Sequence, residues 1–334
     1  MAYLHGRPYG NLYNRMQPPF ARPDLRRSLC KYLLHSSKNK NPSPVFALQW
    51  GNHGKRIIIG CNSGEFLLWN GLNFKFESLL QAHNKPIRVI RWRGDDQFIL
   101  SGDDSGSIKV WKSTLKILHT ALAKEQAHDE AVRDLHFSPY GGAKFVSCSD
   151  DHLAKVWDFL TMKIETVLKG HGWDVKCTEW HPYKSLIATG SKDSLVKLWD
   201  PKSARELKTL HPHKNAVTKV KWSKDGDYLL TGSRDTQIKL YDLRMMELVQ
   251  EFRGHAKEVS SLEWHPTVPG MLASGGFDGT LVFWQVGRET PTASVEAHMG
   301  AIWDLGWHPL GHILATGSND GFTKFYSRVA PVPV

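Results

Sequence analysis

Five sets of a histidine, a hydroxyl residue, an aspartate and an aromatic recur along this chain. They are His128–Ser147–Asp151–Trp157, His171–Thr189–Asp193–Trp199, His213–Thr231–Asp235–Tyr241, His255–Ser274–Asp278–Trp284 and His298–Thr316–Asp320–Tyr326. A hydroxyl beside an imidazole that a carboxylate orients is the equipment of nucleophilic acyl transfer. Repetition argues against that chemistry. A catalytic set is needed once, whereas a repeat unit must solve the same packing problem in every copy. Buried imidazole, carboxylate and hydroxyl groups each need a partner, and a chain of hydrogen bonds satisfies all of them. Two further repeats depart from the pattern. The one ending at Trp111 has Ser105 where the aspartate is expected, and the one ending at Trp69 has Ser63 there. Both are expected to be less well bonded internally. No nucleophile stands apart from the repeat, so no catalytic residue is assigned and no enzyme activity is expected.

The elements behind these sets show in the aromatic positions. Trp69, Trp111, Trp157, Trp199, Tyr241, Trp284 and Tyr326 follow one another at intervals of 42, 46, 42, 42, 43 and 42 residues. Each closes a short β-like run such as FLLW, AKVW or TKFY, and Asp158, Asp200 and Asp242 complete a Trp-Asp or Tyr-Asp pair. The histidines His83, His128, His171, His213, His255 and His298 keep step. Period and markers resemble the WD40 repeat, a four-stranded propeller blade of about 40–45 residues. The resemblance implies that the four-residue sets are hydrogen-bonded tetrads pinning the strands of a blade. The expected fold is all-β: a seven-bladed WD40 β-propeller over residues 29–328, behind a basic N-terminal arm (1–28) and before a short tail (329–334). Too little chain follows Tyr326 for an outer strand of the seventh blade. The segment from Cys30 to Ser37 is the expected donor, so the ring is closed by an N-terminal strand, which removes an exposed sheet edge.

Composition limits the partners. The chain has 334 residues, 41% of them hydrophobic, with 13 tryptophans, enough for a large core. Its four cysteines show no CxxC or paired spacing, so neither a zinc site nor a disulfide framework is expected. The sequence carries no apolar stretch of membrane-spanning length, no signal peptide and no Asn-x-Ser/Thr sequon, which together point to the cytosol or nucleus. Neither a small-molecule substrate nor a cofactor is expected. The net charge of +10 is unevenly spread: residues 1–40 hold eight basic residues against the single acid Asp24, and the other 294 hold 35 against 32. Such asymmetry suits an anionic partner for the arm, nucleic acid first. A solvated basic tail, or a nuclear-import signal at Arg26 and Arg27, also fits it. Tyr3, Tyr9, Tyr13 and Phe20 are interleaved with the arginines, and four prolines prevent a long helix. Rings that stack on bases beside guanidinium groups that contact phosphates are how unpaired RNA is commonly gripped.

Three other stretches hold chemically suggestive residues. Gly51-Asn-His-Gly-Lys-Arg56 lacks phosphate-loop spacing and reads as a turn between strands. Trp180-His-Pro182, Trp264-His-Pro266 and Trp307-His-Pro309 recur at blade positions as strand-to-hairpin junctions, and His265 and His308 lack the partners a metal would need. Asn73-Phe-Lys-Phe-Glu77 is expected on the outer strand of the first blade, with Phe74 and Phe76 sharing one face by alternation. Ile164, Glu206 and Leu248 stand at the position of Phe76 in other repeats. Packing and a stacking platform are both open readings for it.

The match goes beyond the generic repeat. Ser63-Gly-Glu-Phe-Leu-Leu-Trp-Asn-Gly-Leu-Asn-Phe-Lys-Phe-Glu77, Gly170-His-Gly-Trp-Asp-Val-Lys176, Phe252-Arg-Gly-His255 and Ile302-Trp-Asp-Leu-Gly-Trp-His-Pro-Leu-Gly-His312 resemble the WD-repeat subunit of the cleavage and polyadenylation specificity factor. That resemblance implies a non-enzymatic nuclear subunit. It would bind the AAUAAA signal of pre-mRNA together with a zinc-finger subunit, on a large multi-propeller scaffold. It also implies that Phe76 stacks on a U·A pair formed within the signal, and that Gly6-Arg7 and Asn14-Arg15 are the arm's RNA contacts. The family's stacking aromatic before that glycine is Leu4 here, with Tyr3 adjacent. Tyr3, Tyr9, Phe74, Lys38 and Lys40 complete the expected RNA-binding set. Two alternatives need other residues. A substrate receptor of a cullin-type ubiquitin ligase would use Arg244, in a motif that resembles the adaptor contact of such receptors, and an assembly scaffold that binds only proteins would use none of these.

Overall fold

The computed structural model describes residues 29–38, 43–115, 117–119, 127–139 and 143–329. Those residues form seven four-stranded antiparallel sheets. The inner strand of each sheet packs on that of the next, and the seventh returns to the first, so the blades make a closed ring. Burial peaks in the middle strands of a blade and drops at its outer strand, as their residue types dictate. In the fourth blade the second strand, Ile187–Ser191, is buried throughout, while the outer strand, Glu206–Leu210, is mostly exposed. Polar outer strands and apolar middle strands are what a ring of stacked sheets requires.

Blade seven consists of Ile302–Trp307, Ile313–Ser318 and Phe322–Ser327 with Tyr32–Lys38 as its outer strand. The expected donor segment is therefore used, shifted by one or two residues at its ends. Its register runs from Tyr32 opposite Ser327 to Lys38 opposite Phe322, with a bulge between Leu33 and His35. Behind it lies the core that closes the ring. Val45, Leu48, Trp50 and Ile57 of blade one pack against Ile313, Ala315 and Phe325 of blade seven. Trp50 Nε1 donates to the Gly306 carbonyl at 2.9 Å, and the Leu48 amide donates to Asp304 at 3.0 Å across the same seam.

The Trp-His-Pro junctions do more than turn the chain. His181 Nε2 donates to the Gly226 carbonyl of the next blade at 2.9 Å, and His265 Nε2 donates to that of Gly311 at 3.0 Å. Each ring's Nδ1 accepts backbone amides of its own turn, from Tyr183 and Lys184 or from Thr267 and Val268. Gly311 has φ +71°, and a Cβ there would lie 2.4 Å from the His265 ring, so only glycine fits the latch. His308 meets Gly54 of blade one in the same manner. A ring nitrogen that donates while the other accepts must be a neutral imidazole. Burial does hold His265 and His308 down at about 4.

Candidate nucleic-acid interface

Blade three shows what the four-residue sets do. His128 Nδ1 lies 2.7 Å from Asp151 and its Nε2 2.7 Å from Ser147 Oγ, to which Trp157 Nε1 donates at 2.8 Å. The carboxylate can only accept, so the bonds run in one direction, from indole through hydroxyl and imidazole to aspartate. Blade four repeats the chain through His171, Asp193, Thr189 and Trp199, at 2.9, 2.8 and 2.8 Å. Ser147, Thr189, Thr231, Ser274 and Thr316 have no exposed surface. A hydroxyl sealed in this way meets no substrate carbonyl, which removes the acyl-transfer reading on geometry.

The other blades vary this theme. In blades five and seven the histidine reaches its aspartate at 2.9 Å in each and its threonine at 2.8 and 2.7 Å. The closing residue there is a tyrosine, and Tyr326 Oη donates to the Ala297 carbonyl instead of to Thr316. Blade six inserts Thr280, which bonds Asp278 at 2.6 Å and lies 3.4 Å from His255 Nδ1. Blade two corrects the expectation of weak bonding. Asp103, two residues before Ser105, takes the carboxylate role at 2.8 Å from His83. Ser101 then joins His83 at 2.6 Å and Trp111 at 2.9 Å. Burial would push the Asp103 carboxyl up, but bonds from His83 and Ser105 hold it below the usual range. Serine and aspartate have exchanged places relative to Ser149 and Asp151, and the network is whole.

Blade one lacks the network, as expected from Ser63. Ile59 stands where the other blades carry the hydroxyl, and Trp69 Nε1 is buried with no hydrogen-bond partner among the described residues. The outer strand here is Phe76–Gln81. Phe76 opposes Trp69 in register, is 46% exposed, and packs edge-on against the indole at 5.6 Å and 77°. Its counterparts opposite the closing aromatics are Ile117, Ile164, Glu206, Leu248 and Leu33. Phe76 is the one aromatic in this series.

Phe74 does not share its face. It precedes the strand, at φ +53°, in a turn held by two asparagine side chains. Asn70 Oδ1 accepts the amides of Leu72 and Asn73, and Asn73 Oδ1 accepts that of Lys75. Phe74 is thereby turned into the closing seam, 4.7 Å from Phe325 and stacked on His35 of the closing strand at 5.6 Å and 16°. Alternation fails because the turn extends one residue further than the sequence pattern implies. Phe74 is a packing residue between blades. Glu77, on the other face of the strand, is held by Asn70 and by Arg56, each at 3.0 Å.

Of the remaining expected contacts, Lys38 ends the closing strand, exposed, with its ammonium 5.6 Å from the Phe322 ring. Gly6, Arg7, Arg15, Tyr3, Tyr9 and Lys40 lie outside the described residues. Arg244 lies on an exposed turn of blade five, 3.4 Å from Asp242. The central channel holds paired charges: Arg91 with Asp134 at 2.7 Å, and Lys221 with Glu263 at 2.6 Å. Glu179, buried beside Lys221 and His136, is pushed up to about 7 by desolvation. Asp103, the inter-blade histidine latches and the Trp69–Phe76 pair escaped sequence reasoning. Only the Trp69–Phe76 pair had a readable signal, the missing hydroxyl at Ile59.

Comparison with known proteins agrees with this architecture. The WD domain, G-beta repeat family matches residues 74–112, 119–158, 162–200, 204–242, 246–285 and 289–327. A relative named polyadenylation factor subunit 2 from Cryptococcus neoformans var. neoformans is 48% identical over 332 residues, covering 98% of this chain and 46% of the relative. Proteins of the same name from Gibberella zeae and Neurospora crassa are each 40% identical, covering 97% and 95% of this chain and 57% and 52% of their own lengths. The chain thus spans about half the length of the curated relatives it matches. With six matched repeats and seven blades, it belongs to the WD40, G-beta-repeat family, and its homologues in that family carry the name polyadenylation factor subunit 2.

Proposed function

We propose that this chain is a non-enzymatic RNA-binding and scaffold subunit of the nuclear machinery that cleaves and polyadenylates pre-mRNA. It recognises an AAUAAA-type signal with a zinc-finger partner, on a large multi-propeller scaffold subunit. The homologues' name supports the process. The observation that carries RNA recognition is Phe76, a half-exposed aromatic at a position that other blades fill with aliphatic or acidic residues. Two residues before it, Phe74 is set into the seam completed by the very strand that follows the basic arm. Arm arginines on phosphates and a ring against a base are the two parts of sequence-tolerant RNA grip, and a base pair formed within the signal would add specificity.

The test measures RNA affinity of the chain with its zinc-finger and scaffold partners, using an AAUAAA oligonucleotide and a point-substituted one. Phe76→Ala should cost about 1–3 kcal/mol on the signal sequence, and Arg15→Ala should lower the salt slope by about 1. Binding indifferent to Phe76→Ala and to the sequence change would move recognition to another subunit.

A further inference from the structure

We infer that Trp69 is the positioning residue for Phe76, and that blade one lacks the hydrogen-bonded set because its tryptophan serves this second purpose. The inference rests on the RNA-binding reading of Phe76. In blades two, three, four and six the closing tryptophan spends its Nε1–H on a buried hydroxyl, at 2.9, 2.8, 2.8 and 2.7 Å. Those four rings are at most 2% exposed. Each is fixed deep in its blade, and in blades two, three and four the residue opposite it on the outer strand, Ile117, Ile164 or Glu206, is not aromatic.

Blade one reverses each of these features. Ile59 offers no hydroxyl, Trp69 Nε1 has no partner among the described residues, and the ring is half-buried. Its released edge geometry is used at once: Phe76 stands at 77° to it, 5.6 Å away. An edge-to-face pair holds a ring by its quadrupole, which favours one orientation of Phe76 and leaves a face of that ring open. A lone exposed phenylalanine would populate several rotamers and lose entropy on meeting a base. A propped one is ready before the RNA arrives. The indoles of Trp92, Trp180, Trp303 and Trp307 are likewise unpartnered among the described residues, so what sets Trp69 apart from the other closing tryptophans is the contact its ring makes with Phe76. The second brace is the turn, because Asn70, the residue after Trp69, bonds Glu77, the residue after Phe76.

The experiment uses the full chain in complex with its zinc-finger and scaffold partners and a fluorescein-labelled decamer RNA containing AAUAAA, and compares Phe76→Ala, Trp69→Leu and Trp69→Phe. An edge contact of this kind is worth a factor of roughly 2 to 12. Trp69→Leu should therefore weaken binding about fivefold, and Trp69→Phe, which keeps a ring edge, should bind within about twofold of the parent. Melting temperatures are read on the same samples, so that a loss of binding is assigned to position only where the fold persists. A second readout needs no RNA: fluorophenylalanine at position 76 should give one sharp fluorine resonance in the parent, broadened by Trp69→Leu and restored by Trp69→Phe. If Phe76→Ala weakens binding while Trp69→Leu changes neither affinity nor the fluorine line, the positioning role is wrong and the RNA reading stands. If Phe76→Ala binds as the parent does, the RNA reading itself falls, and the fluorine line alone decides whether Trp69 orders the ring.

Discussion

Blades one and three are built on the same four strands, yet they treat their polar interior in opposite ways. Blade three ties Trp157, Ser147, His128 and Asp151 into one chain of bonds and hides all of it. Blade one fills the same space with Ile59, leaves an indole donor orphaned, and puts two rings edge to face at the rim. A closed ring tolerates this because blade one is held from both sides, by the apolar seam to blade seven and by an Asn52–Asp96 link to blade two. A ring distributes stability among neighbours, so one unit can give up internal bonding and use the position for something else.

Acidification should strike that contrast hardest, since burial lowers the bonded histidines His83, His128, His255 and His298 of four blades together. Burial holds His255, His265 and His308 down at about 4. Free histidine titrates near 6.5. The folded state therefore binds fewer of these protons than the unfolded chain. Stability is complete above about 6.5 and is lost as the pH falls toward 4. Glu179, pushed up to about 7, works the other way between about 4.5 and 7, but it is one group against three. Melting temperatures measured from pH 7.5 to 4 should fall steadily, and a flat profile would mean that the imidazoles do not hold the ring.

Next in size is Asp151→Ala, which strips the carboxylate from His128 and leaves the Nδ1–H of a buried imidazole unpaired. A loss of about 3 kcal/mol is expected in urea unfolding. The smaller Phe74→Ala should cost about 2 kcal/mol by opening the seam at Phe325 and His35. On the other side of the comparison, Phe76→Ala should cost about 1 kcal/mol or less, because half of its ring is exposed and its edge contact with Trp69 is what the fold loses. Ile59→Thr sharpens the point. It offers Trp69 the hydroxyl that other blades have, for a stability change of about 1 kcal/mol either way. A nuclear Overhauser measurement between the rings of Trp69 and Phe76 should show the indole drawn off Phe76.

Much of this was legible in the residues. The aromatic interval gave seven blades, and the expected donor segment Cys30–Ser37 supplies the borrowed strand, which runs from Tyr32 to Lys38. Periodicity works there because every blade must repeat the same strand lengths. What sequence could not resolve depends on reach instead of on interval. Asp103 replaces an aspartate expected at position 105 because the histidine needs a carboxylate within bonding distance, from whichever residue of the turn supplies it. Phe74 left its expected face because two asparagines prolong the turn, which an alternation rule cannot foresee. The latches from His181 to Gly226 and from His265 to Gly311 join residues in different repeats, where no local pattern announces them.

The borrowed strand also sets a timetable. Tyr32 finds its partner in Ser327, 295 residues later. At roughly 5–20 residues per second, translation keeps that strand waiting for about 15 to 60 s. Through that interval Tyr32, Leu33 and Leu34, exposed even in the finished ring, have no sheet to join. Six blades can form on the ribosome while the seventh, and with it the placement of whatever precedes residue 29, waits for the last strand to be made. Newly made chains should thus be most prone to capture by chaperones, or by one another, just before Phe322–Ser327 is made.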